Sequence, residues 1–224
     1  MIRRDYLLRS IEQCVRALAR VLRLTEEGQF AKAEVELDEA MQLLVGFDLK
    51  RLAALSDSEL LVELLKGEPT QVLREKGLLL VALLERAGDI DAAQSRLAPS
   101  GLWYVRALNL QLQILSRDGS LELPQYVPKV EALARKAKEL LPRLPAETSL
   151  ALMQYYERTG QFAKAEDELF ASIENRDPST AWIEFGIQFY ERLLRQSDLS
   201  LELGDLPRPE VQAGLAELKS RMAS

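Results

Sequence analysis

The sequence predicts an all-α fold built from helical hairpins, and three observations predict it. A ten-residue stretch is written twice: Gly28-Gln29-Phe30-Ala31-Lys32-Ala33-Glu34-Val35-Glu36-Leu37 returns as Gly160-Gln161-Phe162-Ala163-Lys164-Ala165-Glu166-Asp167-Glu168-Leu169, and only the eighth position differs. Leu, Ala, Glu, Arg and Gln dominate while aromatics are 6%, so strong helix formers fill the chain. No convincing period-two run is flanked by hairpin turns.

Each copy of the stretch follows a long apolar-periodic segment. Its Gly suits a positive φ at the end of a first helix, a conformation other residues reach at a cost. Phe30 and Phe162 then re-enter apolar space. Ala33 and Ala165 let the second helix lie close against the first, and Leu37 and Leu169 follow one turn later on the same face. A degenerate copy, Gly88-Asp89-Ile90-Asp91-Ala92-Ala93-Gln94-Ser95-Arg96-Leu97, lies between them. It predicts a third turn at Gly88, with Asp89 to Leu97 as a short return helix cut by Pro99 and Gly101.

The pattern resembles the tetratricopeptide repeat, a helix-turn-helix unit. Tyr156, Gly160, Phe162, Ala165 and Leu169 match its consensus in the last copy; Leu24, Gly28, Phe30, Ala33, Leu37 and Ala40 match in the first; Leu84, Gly88, Ile90, Ala93 and Leu97 match in the middle. The early Trp and Leu-Gly positions are missing, and the glycines stand 60 and 72 residues apart rather than at multiples of about 34. The resemblance is to a divergent member. It implies a tetratricopeptide-like stack of antiparallel hairpins, about ten helices in all, whose surface binds a peptide or helix. The whole chain, with its opening Arg4-Asp5-Tyr6-Leu7-Leu8-Arg9-Ser10-Ile11-Glu12-Gln13, is also similar to a bacterial family of uncharacterised helical proteins, which implies no activity.

In chain order, residues 4–27 read as an amphipathic helix. Leu7, Ile11, Cys14, Leu18 and Val21 form its stripe, widened by Leu8, Val15 and Leu22. Arg9, Arg16, Arg20 and Arg23 share another face. Phe30 to Val45 is its partner, ended by Gly46. Asp48 to Leu55 reads as a short helix. Ser56-Asp57-Ser58-Glu59 is a capping box for another, Leu60 to Lys66, stopped by Gly67. Pro69 fits the first turn of a helix running to Ala87. Within it, Leu78 to Leu84 is apolar on all sides and predicts the most buried helix.

Gly101 to Arg117 forms the next helix, with Trp103, Tyr104, Leu108, Leu112 and Leu115. Pro124 and Pro128 precede one reaching about Leu141. It is apolar on Val127, Val130, Leu133, Ala134, Ala137 and Leu141, with Lys129, Arg135, Lys136 and Lys138 on its wet side. Pro142 and Pro145 bracket a turn, so residues 1–224 read as a single helical-repeat domain with a sub-boundary near 142–146. Ala146 to Thr159 and Gln161 to Glu174 form the last hairpin. Asp177-Pro178 reads as an N-cap with Pro at the first helical position. The helix after it, to Arg195, carries Trp182, Phe185, Phe189, Tyr190 and Leu193. Residues 197–206 read as a loop. Pro209 to Met222 is a terminal helix anchored by Leu215 and Leu218, a cap for the last hairpin.

The 224 residues carry a net charge of −6, so general affinity for nucleic acid or an anionic membrane is not expected. The charge is uneven, +4 over residues 1–24 and −10 over the rest. The longest apolar run, Leu78 to Leu84, is far short of the ~20 residues of a membrane span. With a single cysteine and no signal-peptide pattern, the reading is a soluble cytoplasmic protein.

Histidine is absent, which removes the usual triads and most transition-metal sites. No phosphate loop, dinucleotide fingerprint, zinc-ligand set or calcium loop is present. Cys14 lies in an apolar stripe and reads as a small buried hydrophobe. The carboxylates Glu34, Glu36, Asp38 and Glu39, and Glu166, Asp167 and Glu168, point in different directions around their helices and read as solvated faces rather than an acid/base pair or magnesium site. The expectation is therefore no enzyme, no cofactor and no metal. The candidates for partner binding are Arg9, Arg16, Arg20 and Arg23, whose planar forks suit carboxylate or phosphate, although pairing to the acidic remainder of the chain is the preferred reading of the stripe. The functional expectation is a protein–protein interaction module for an unknown protein or peptide. A self-assembling structural subunit comes second, and a nucleic-acid or anionic-ligand binder using the Arg stripe third.

Overall fold

The computed structural model describes residues 2–56, 59–60, 62–63, 70–118, 121–174 and 180–223. Among them the protein is all-α, with eleven helices and no strand. In chain order these are α1 (Ile2–Glu26), α2 (Phe30–Val45), α3 (Leu49–Ala54), α4 (Thr70–Ala93), α5 (Leu97–Asp118), α6 (Val130–Leu140), α7 (Ala146–Arg158), α8 (Phe162–Glu174), α9 (Thr180–Leu193), α10 (Asp198–Leu203) and α11 (Arg208–Met222). They form two compact units, Met1–Leu144 and Pro145–Ser224.

In the first unit α1 pairs with α2, and α4 packs against α1, α2 and α5, with α6 lying on α5. That central position explains the all-round apolar run, since every side chain from Leu78 to Leu84 is buried. Cys14, Leu18 and Val21 of α1 and Ala33, Leu37, Ala40 and Met41 of α2 are buried in the core of these paired helices, whereas Leu22, assigned to the stripe, is exposed. Asp48 caps α3 by accepting from the Arg51 amide at 2.8 Å. Arg106 of α5 donates to the carbonyls of Leu52 and Leu55, holding the end of α3. The capping box closes as its spacing dictates: the Ser56 amide and hydroxyl donate to the Glu59 carboxylate, and the Glu59 amide donates to Ser56 Oγ at 3.2 Å. Pro69, the turn at Asp177-Pro178 and most of Leu60 to Lys66 lie outside the described residues.

The repeated decamer forms the same turn twice. Gly28 and Gly160 take φ of 70° and 73°. The Gln29 amide returns to the Leu24 carbonyl at 2.8 Å and the Gln161 amide to the Tyr156 carbonyl at 2.9 Å. The Gly28 and Gly160 amides reach Thr25 and Glu157. This is the Schellman arrangement, which satisfies carbonyls left open at a helix end.

Gly88 departs from the expectation. Helix α4 runs straight through it to Ala93, and the turn comes at Ser95 with φ of 61°. There the Arg96 amide returns to Asp91 at 2.8 Å and the Ser95 amide to Ala92 at 2.9 Å. Gly88 is a close-approach residue instead: a Cβ on it would collide with the Tyr104 ring of α5. Consequently α5 starts at Leu97, with Pro99 tolerated in its first turn.

The second unit pairs α7 with α8 and α9 with α11, while α9 touches α8. The expected loop 197–206 contains α10, capped by the Ser197 hydroxyl, which accepts from the Ser200 amide at 3.1 Å. The terminal helix is anchored by Val211 and Leu218, both fully buried; Leu215, one of the two expected anchors, is only half-buried. Leu218 fits because Gly186 of α9 leaves room for it, and Tyr190 lies beneath Gly214. Phe189 and Tyr190 are core, whereas Trp182 and Phe185 are half-buried and meet edge to face.

Candidate interaction surfaces

Helix α1 carries the four arginines assigned to partner binding. Arg9 and Arg16 are exposed and, among the described residues, have no ion-pair partner. Arg20 is tied to α2, its Nε donating to Glu36 Oε1 at 2.8 Å. Arg23 lies 3.9 Å from Glu27, one turn on in sequence, and both are open to solvent. Such an exposed pair contributes little. The face thus divides into Arg20, engaged within the unit, and Arg9, Arg16 and Arg23, available to solvent.

The carboxylates of the repeat separate as helical geometry requires. Glu34 turns to the α4–α5 turn, accepting from Arg96 at 2.6 Å and from Gln94 at 3.0 Å. Arg96 above all, with Gln94, holds its carboxyl below the usual range. Glu36 faces α1, and Asp38 accepts from the Leu49 amide at 2.9 Å. In the second unit Glu166, at the position of Glu34, accepts from the Tyr190 hydroxyl. Among the described residues no cluster of three or more metal-ligating side chains occurs.

A polar cluster not anticipated from sequence lies between α4, α5 and α6. Lys136 reaches both Glu85 and Asp89 at 2.7 Å. Asp89 also accepts from Tyr104 at 2.8 Å and from Arg86 at 2.7 Å. Lys136, expected on the wet side of its helix, is half-buried and closes this network. Burial, with Asp89 beside it, pushes the Tyr104 hydroxyl well above its ordinary pKa. Each charge has an opposite neighbour, so the cluster reads as a joint holding α6 to α4. The signal was present in Glu85 and Asp89, one turn apart just after the apolar run Leu78 to Leu84. Cys14 is fully buried, and burial raises its thiol to about 11. It is therefore neutral and screened from solvent, a poor nucleophile.

The second unit holds a cleft of ≈ 440 Å³ around the second decamer's turn, between Gln154, Arg158, Phe162, Leu193 and Ser200. At its edge Arg192 grips Glu157 with both arms, at 2.7 and 2.8 Å. Leu199 and Leu203 of α10 are one turn apart and 66% and 78% exposed. Their neighbour Ser200 lines the cleft. The pair is not legible in the sequence, because residues 197–206 read there as loop, where a period of four has no meaning.

Among the described residues the fold is a set of packed helical pairs. The chain belongs to a family of unknown function (DUF6483), which matches residues 1–223. No curated protein and no solved structure matches it. Among the described residues no helix is long and apolar enough to cross a membrane.

Proposed function

We propose that the chain is a tetratricopeptide-like protein whose function is protein–protein interaction, receiving a peptide or helix on its helical surface. The observation that carries this reading is the repeated hairpin: one decamer builds the same Schellman turn in both units, with Ala33, Ala165, Leu37 and Leu169 all fully buried behind it. Ala33, Leu37, Ala165 and Leu169 are consumed by packing, so they make a scaffold, and function falls to what the scaffold displays. It displays the arginine face of α1 and, in the second unit, Leu199 and Leu203 beside a cleft with charged walls. Apolar anchors next to polar, charged groups suit an amphipathic segment better than a small substrate.

The test is capture of partners by the tagged full-length chain. Two variants accompany it, Leu199→Ser/Leu203→Ser and Arg16→Gln/Arg20→Gln/Arg23→Gln. A discrete protein retained by the parent and lost with either variant supports the reading and locates the contact. Nucleic acid released steeply by salt would transfer the function to the arginine face as an anion binder. Recovery of the chain alone, with a mass that rises with concentration, would replace the adaptor by a self-assembling subunit.

A further inference from the structure

The two copies of the decamer differ at one position in sequence and far more in their surroundings. In the second unit the Gly160 turn has a cleft at one side and is covered at another. The end of α10 lies on it, where the Gly204 carbonyl accepts from the Ala163 amide at 3.0 Å. A Cβ on Gly204 would run into Phe162 and come within 2.6 Å of the Gly160 carbonyl. The covering element is itself a Schellman turn: Asp205 has φ of 57°, the Leu206 amide returns to Leu201 at 3.0 Å, and Leu201 and Leu206 are buried on either side of the glycine. Under it Phe162 is buried and Gly160 and Ala163 are half-buried.

In the first unit the corresponding Phe30 is only half-buried, and Gly28 and Ala31 are exposed. The single position where the copies differ sharpens the contrast. Val35, one turn beyond Ala31, is 59% exposed where the covered copy has Asp167. The open copy therefore adds an apolar side chain to a face that is otherwise the same.

Resting on the interaction reading above, we propose that the Gly28 turn is a docking site for a partner protein's helix C-terminal turn. That turn carries a glycine at the contact. The second unit supplies the chemistry of the occupant: Gly204, against Phe162 and the Ala163 amide, shows which backbone shape fits this decamer, and why a side chain at the glycine is refused.

The probe is a synthetic peptide of residues 196–207, titrated into the isotope-labelled full-length chain while backbone amide shifts are followed. The expected result is movement confined to residues 28–35, with Ala31 prominent and half-saturation on the order of 1 mM, because so short a peptide must fold on the surface. The same peptide carrying Gly204→Val should bind at least about tenfold more weakly, and Phe30→Ala in the full-length chain should do likewise. Phe30 is half-exposed, so that variant keeps its fold, checked by unchanged shifts elsewhere. No movement, or movement only at residues 160–167, would overturn the proposal. So would equal binding of the Gly204→Val peptide. Movement of residues 28–35 with protein concentration and no peptide would also overturn it, making the occupant a second copy. A negative here leaves the capture experiment standing, so failure of this site is distinguishable from failure of the interaction reading.

Discussion

Glu166 accepts from Tyr190 while Asp167, Glu210 and Glu217 add negative charge around it. Burial above all, then these neighbours, raise its carboxyl above the usual range, against the lowering effect of the Tyr190 hydroxyl. The sign follows from linkage. The folded chain holds this proton more tightly than the unfolded chain, so the group favours folding in acid. That advantage is lost as pH rises from the ordinary carboxylate value, about 4.3, through the raised folded one. Glu166→Gln keeps an acceptor for Tyr190 and removes the charge. It should raise the melting temperature at neutral pH, the gain vanishing by about pH 4. Parallel thermal melts at the two pH values check this, and a gain that persists in acid would contradict it. Glu34, at the same place in the decamer, shows the opposite direction because Arg96 faces it. One sequence position thus has two ionisation behaviours. Position within a helix was readable from the chain, but the group across from it was not.

At the scale of elements, α11 covers the second unit. Val211 and Leu218 insert fully, Leu218 against Gly186, and Tyr190 sits under Gly214. Removing residues 205–224 strips these anchors and bares Tyr190, so the truncated chain is expected to aggregate or change its oligomeric state. Light scattering beside size-exclusion mass measures this; a monodisperse truncation of unchanged state would show that α11 is dispensable. The elements also explain which boundaries were legible. Turns at Gly28, Gly46 and Gly160 were readable because glycine at positive φ is a local device. The Ser95 turn was not, since nothing in a serine announces the left-handed region, and Gly88 drew attention to itself for a different reason, the approach of Tyr104. Glycine has two uses, and only the packing partner tells them apart.

On the scale of the whole molecule, each unit has a core of its own. The chain passes between them at Leu144 and Pro145. A fragment of residues 145–224 is expected to fold alone, showing helical circular dichroism and a cooperative melt. A fragment that stays unfolded would show that the unit depends on the rest of the chain. The sequence by itself determined the all-α class, the two decamer turns and the burial of α4, because these follow from propensity, glycine conformation and apolar periodicity, all local quantities. It also showed that histidine chemistry is excluded, an inventory fact. Only the tertiary structure decided that Lys136 joins Glu85 and Asp89, that Arg20 is engaged while Arg16 is open, and that one decamer is covered while its near-copy is not. Those outcomes depend on residues far apart in the chain meeting across a helix interface. Sequences that match at nine positions in ten share their local preference, so what separates Phe30 from Phe162 is the neighbour that the rest of the fold brings to each.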